Sequence, residues 1–454
     1  MRNEKAGCKR RAHASPGVKS FGARLGEQTG VFARPCRVSL AAKTRGRIMK
    51  LLLAVLSVPA VLAAADDWSL PRSAESCGDC HRYGFAIWNS SRHARALDSR
   101  LFRDTMRFTK LDFGDEAGRS CLSCHAPLAG PGNDPELRLK VTWEGVTCDY
   151  CHSVREVSLA AANAVAKLTF NAEKTGPPWM KPDPRQHGAA SVDVLANSEF
   201  CALCHQYQNA LGVPVVTTFA EWRASRYGKE GRQCQSCHMS SVAHADLFKR
   251  VAIHPLDKEW HDSHCDFCHA ISIGEDVNRP AQPVAAAKTT PPPDRLSWHG
   301  LEGDSSGPRL TKAISAQMTA TREGGKLKVN VELANTGAGH YLPSGSPMRQ
   351  LILEVNADTD GGAHFSAQRS YRRTFADQQA KPLDQEYKVF VKGNKIIEDT
   401  RLAPDEKRTE AFLFDVPPGA ATMVNATLWY FYSPLRKTDS QTRTAVLSLN
   451  SRFR

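Results

Sequence analysis

From residue 66 to its end, the 454-residue chain has no apolar run near the roughly 20 residues that a membrane-spanning helix needs. That excludes a helical span from this stretch. A basic footprint is missing as well. The formal charge is +13, but residues 1–48 supply +10 of it (twelve Lys and Arg against two Glu) and Lys50 one more, leaving +2 for residues 66–454. Nucleic-acid binding, which needs a basic face, is therefore not expected of that part. Cysteine is confined: beyond about Leu310 there is none, and after residue 65 no thiol falls outside a single recurring pattern. Long periodic apolar stretches are scarce before residue 300, so side chains alone offer little core there.

The recurring pattern is Cys-x-x-Cys-His. It occurs six times, as Cys77/Cys80/His81, Cys121/Cys124/His125, Cys148/Cys151/His152, Cys201/Cys204/His205, Cys234/Cys237/His238 and Cys265/Cys268/His269. This pentapeptide is the attachment signature of c-type haem. Its two thiols add across the porphyrin vinyl groups, and the following imidazole binds the iron. Zinc sites also use paired Cys-x-x-Cys units, but they have no need of a histidine directly after the second cysteine. A disulfide framework leaves the six histidines equally unexplained. The sequence thus implies six haem c groups, with the twelve cysteines as covalent anchors and the six motif histidines as near ligands.

Whether such irons carry electrons or bind substrate depends on their far ligands. Two imidazoles saturate the iron. Nine further histidines follow residue 65, enough to permit two per haem throughout. The candidates are His93, His187, His244, His254, His299 and His340, with His93 and His340 favoured by their local context; His261 and His264 are unranked. His364, set among predicted strands, reads as structural. Met239 directly follows His238 and reads as packing, and Met180 in a Pro-Pro-Trp-Met loop is a weaker candidate.

The chain divides by texture. Residues 1–48 read as an extension preceding the true start, with Met49-Lys50 opening an export signal over 49–65 that ends in Ala63-Ala64-Ala65. Residues 66–300 hold the motifs, and short helices and long loops are expected, with helical pieces over Tyr83–Ser99, Val192–Leu211 and Phe219–Tyr227. The Pro/Ala-rich stretch 281–294 reads as a linker or crossing segment. Residues 301–454 alternate with period two at Leu327–Leu333, Leu351–Ala357, Tyr387–Lys392, Arg408–Phe414 and Thr427–Tyr432. The expected fold is α plus β: a loop-rich, mainly helical multihaem domain, then an all-β immunoglobulin-like sandwich.

Several strings resemble multihaem c-type cytochromes related to the tetrahaem electron acceptor of hydroxylamine oxidoreductase. They are Trp88 with Ser91-Arg92-His93-Ala94, Cys121-Leu122-Ser123-Cys124-His125-Ala126-Pro127, Gly145-Val146-Thr147-Cys148, Glu221-Trp222 leading to Cys234, and Gly339-His340-Tyr341-Leu342-Pro343. The resemblance implies closely packed, mostly bis-His haems in the periplasm, and carries a far-ligand role to His93. It does not carry over the tetrahaem protein's partner, because this chain has six motifs and an added β-region. Electron transfer between other periplasmic or membrane-associated redox proteins is the function expected. The alternative is a terminal oxidoreductase with one open haem acting on a small nitrogen or sulfur compound.

Overall fold

The computed structural model describes residues 69–178, 187–239, 241–243, 295–297, 299–301, 307–435 and 441–453. The sixth motif, His244, His254, His261, His264, Met180, the signal at 49–65 and the 281–294 stretch lie outside them.

Three antiparallel sheets occupy the C-terminal part: a small one pairs Arg373–Ala376 with Pro382–Leu383 and Lys395–Asp399, and two larger ones carry the main core. One has the order β5-β2-β1, from Ile314–Glu323 (β1), Lys326–Asn335 (β2) and Lys407–Phe414 (β5); the other has the order β4-β3-β6-β7, from Arg349–Thr359 (β3), His364–Tyr371 (β4), Thr422–Tyr432 (β6) and Thr442–Phe453 (β7). Alternation decides which face each strand buries. On β3, Leu351, Leu353, Val355 and Ala357 point inward, opposite Tyr430, Leu428, Ala426 and Val424 of β6. On β2, Leu327 and Val329 pair with Phe414 and Phe412 of β5, and both sheets feed one apolar core. Each fully buried Leu or Val contributes about 1.5–3 kcal/mol, and a one-residue slip would turn the whole set outward, so the register is strongly specified.

Four of the five period-two segments lie within these strands. The fifth does not: Glu386–Lys392 is a helix. Six alternating residues cannot separate a strand from a helical turn. Here tertiary contact decides, since Tyr387 packs against Phe108 and Phe113 of the helix Arg100–Phe113 and donates a 2.7 Å hydrogen bond to Asp112.

The motif-bearing part consists of short helices and loops, with three small apolar clusters in place of one large side-chain core. The expected long helices are cut where serines offer the backbone other partners. Arg82–Asn89 stops as Ser90 Oγ donates to the Ile87 carbonyl, and Ser91 Oγ then accepts from the Ala94 amide. Ser198, held by Gln233, separates the 3₁₀ turn Asp193–Ala196 from the helix Glu199–His205. Ser225 ends Thr218–Ala224 and caps Arg226–Lys229.

The described residues belong to one compact unit. Val213, Val215 and Val216 pack with Phe375, Leu383 and Val389, Asn209 donates to the Gly393 carbonyl, and Arg226 pairs with Asp405. Strand Arg295–Ser297 pairs with Ser241–Ala243, so the chain returns to the motif-bearing part after the 281–294 stretch.

Candidate haem centres

Each described motif lies on or beside a helical turn. Cys148–Cys151 and Cys234–His238 are single turns, Cys201 to His205 closes Glu199–His205, and Cys121 caps Leu122–His125. Residues three apart share a helix face, so both thiols point the same way. The first motif differs, since Cys77 sits in Ala74–Gly78 and His81 caps the next helix, Arg82–Asn89.

Four motif histidines face a second histidine. Ring centres lie 6.1 Å apart for His81 and His187, 6.2 Å for His205 and His93, 6.5 Å for His152 and His299, and 6.5 Å for His238 and His340. Imidazoles on opposite sides of one metal ion put their centres roughly 6 Å apart, given about 2 Å per metal–nitrogen bond. The spacing suits two imidazoles sharing an iron. The second motif is arranged otherwise: Phe102 stacks on His125 with centres 3.8 Å apart, and no described histidine takes the opposing place.

The rings are prepared for metal. Nδ1 bonds a backbone carbonyl in His125 (Ala96), His152 (Thr175), His187 (Gly188) and His340 (Tyr341). A carbonyl only accepts, so Nδ1 carries the proton and Nε2 the lone pair. Burial pushes His93 down to about 4 and His205 down to about 3, and lowers His125 and His152 too, which keeps these rings in the neutral, ligating form. Nδ1 of His93 is buried with no hydrogen-bond partner, an orphan that a metal or cofactor would satisfy. The chemistry of the donor set therefore fits haem c. Among the described residues no three or more His, Cys, Asp or Glu converge as a bare-ion site needs.

The His93 turn is clamped in place. The amide of Val146 donates to the His93 carbonyl (3.0 Å), and Trp88 Nε1 donates to the Val146 carbonyl (2.8 Å). Gly145 has φ +70°, and a Cβ there would meet the same His93 carbonyl at 2.5 Å. Next to it, buried Asp149 inside the third motif pairs with Lys174 at 2.5 Å and accepts from the Arg72 amide.

The motifs also meet one another. The thiols of Cys77 and Cys148, of Cys124 and Cys204, and of Cys201 and Cys234 lie near enough to affect one another's titration, and Cys151 lies near Cys201 and Cys204. The fourth motif thus neighbours the second, third and fifth, and the third neighbours the first.

His340 is fixed by a network that sequence reading missed. Buried Glu221 accepts from the Tyr341 amide and from Ser344, Thr217 and Arg401. Burial raises its carboxyl, but the Arg401 charge and these hydrogen bonds outweigh that and hold it below its ordinary value. The Glu221-Trp222 string by itself does not announce the arginine partner far along the chain. His364 is exposed and bonded to Asp358, and Met239 follows the last turn of its motif.

Residues 76–153, which span the first three motifs, match the family described as cytochrome c554 and c-prime. The fold is similar to a penta-heme cytochrome c552 from Thermochromatium tepidum, with TM-score 0.60 and 19% identity, covering 84% of this chain and 99% of that one. The ApaA protein of Bordetella pertussis aligns at 11% identity over 30% of this chain and 89% of its own, with TM-score 0.16. No curated protein matches the chain. The motifs, the family match and the fold together support a multihaem c-type cytochrome of mixed α and β structure.

Proposed function

We propose that the chain is a periplasmic electron-transfer protein, relaying electrons between redox partners through six covalently attached haems held mostly between two imidazoles. The observation that carries this reading is the set of four histidine pairs spaced 6.1 to 6.5 Å apart. When bound, haem c supplies a reversible one-electron couple at each motif. The chain's part is to keep the imidazoles neutral, oriented and dry, and to bring attachment points close to one another. Cys77, Cys80, Cys121, Cys124, Cys148, Cys151, Cys201, Cys204, Cys234 and Cys237 are the described anchors in this reading, and Cys265, Cys268 and His269 add the sixth. The periplasmic location rests on the signal at 49–65 and on thioether chemistry performed outside the cytoplasm. No helix among the described residues is long and apolar enough to cross a membrane. The two sheets sharing one core are read as an immunoglobulin-like sandwich that supports the haem-bearing part.

The test is a pyridine haemochrome assay combined with electronic spectra of the purified protein. Six haems per chain and low-spin bands unmoved by nitrite, hydroxylamine or carbon monoxide are expected. A high-spin component that binds carbon monoxide would favour the oxidoreductase reading, and the second motif, where Phe102 lies against His125, is the first place to seek it.

A further inference from the structure

Glu386 begins the helix Glu386–Lys392, and its side chain reaches Tyr432 at the end of β6 and the turn at Ser346. One carboxyl oxygen, Oε2, accepts from both hydroxyls, Ser346 Oγ at 2.5 Å and Tyr432 at 2.8 Å. A hydroxyl can donate to a carboxylate or accept from a carboxylic acid, so this cluster satisfies Glu386 in either protonation state. Glu221 and Asp149 are held differently. Glu221 faces the Arg401 guanidinium and the Tyr341 amide, and Asp149 faces the Lys174 ammonium and the Arg72 amide. Those partners only donate, which fixes an anion. Burial raises the Glu386 pKa, and Ser346, Tyr432 and the charge of Arg349 on β3 pull it back only in part, so it keeps its proton to higher pH than an exposed glutamate. Glu386, Ser346 and Tyr432 are each half-buried and keep some surface open to solvent.

The cluster lies beside the second motif. Burial pushes the Cys121 thiol up to about 11, and the Glu386 charge adds to that rise. The next residue, Tyr387, packs on Phe108 and Phe113 of the helix Arg100–Phe113, and the same helix lays Phe102 on His125. The titratable and charged groups facing Glu386 are Tyr432, Arg349 and Cys121, while Asp112 and Asp384 act on the adjoining Tyr387. A negative charge arriving near a carboxyl disfavours its anion, so an electron delivered to the second motif promotes protonation there. We propose that Glu386 is a redox-linked proton site, taking one proton from solvent when the haem of the second motif is reduced and returning it on reoxidation. The inference rests on the haem loading proposed above. The electron comes from the redox partner and takes iron(III) to iron(II). The proton comes from solvent and forms an O–H bond on the Glu386 carboxyl, so the net charge beside the motif is unchanged.

The holoprotein is titrated spectroelectrochemically from mildly acid to mildly alkaline pH. In wild type one haem should show a midpoint potential that falls as pH rises, because the Glu386 anion favours the ferric state. In Glu386→Gln that potential should stay flat, near the acid value of wild type. Tyr432→Phe removes a donor to the carboxylate, so the fall should begin at higher pH; this variant carries the test if Glu386→Gln does not accumulate. Reduced-minus-oxidised infrared spectra should gain a carboxylic-acid carbonyl band on reduction, lost in Glu386→Gln. With Cys121→Ser and Cys124→Ser together, which remove one haem, the pH-dependent component should be the one missing. Haem content is measured on every sample. Too few haems in wild type refutes the loading itself. Full loading with no pH-dependent potential, or with one that survives Glu386→Gln or the loss of the second motif's haem, overturns the proton site.

Discussion

His93 shows what one residue can and cannot announce. The six motif histidines are legible because each directly follows the second cysteine of its motif. A far ligand obeys no such spacing: His93 meets His205 only after the chain has passed two intervening motifs. Sequence could name it as a candidate but not give its partner. If His93 closes an iron, His93→Ala should convert one low-spin haem to high-spin, read in the electronic and electron paramagnetic spectra. A wholly low-spin variant would remove that assignment. Gly145 tests the same turn from behind. Its positive φ and the His93 carbonyl at 2.5 Å leave no room for a methyl group. Gly145→Ala should cost about 1–3 kcal/mol in denaturant unfolding and broaden the signal of that same haem. An unchanged midpoint would mean the turn yields freely.

Among the elements, strands were the easiest to foresee, since Leu351, Leu353, Val355 and Ala357 state their buried face in every second position. The helix Glu386–Lys392 reads as a strand because Tyr387, Val389 and Val391 also alternate, and only the contact with Arg100–Phe113 tips the choice. The helix Thr218–Ala224 carries another feature invisible locally, the Glu221 carboxylate that holds the His340 loop. Its folded pKa is depressed, so its contribution is present above the unfolded carboxylate pKa and is lost as pH falls through the folded one. Glu221→Gln should lower stability by about 3 kcal/mol at neutral pH, and the gap from wild type should close in acid. Denaturant midpoints across pH check this, and a gap that stays constant into acid would show the carboxylate's charge to be irrelevant.

Across the whole molecule, the Pro/Ala-rich stretch 281–294 reads as a linker or a crossing segment between the two textures of the chain. Beyond it, however, Arg295–Ser297 pairs back with Ser241–Ala243, and His299 comes to face His152. Neither contact could be foreseen, since both depend on where distant loops meet. His340 adds a third tie, set in the β-region and facing His238. If an iron joins each pair, the sheets and the motif-bearing part must unfold together. Calorimetry of the holoprotein should then give a single transition, and two resolved transitions would refute the coupling. His340→Ala removes one tie but leaves the Val213–Val389 cluster, the Glu221–Arg401 pair and the His152–His299 pair. It should therefore lower the transition temperature without splitting it, while one haem becomes high-spin. A split in this variant alone would show that the single iron at His238 and His340, and not the remaining interface, binds the two parts into one cooperative unit.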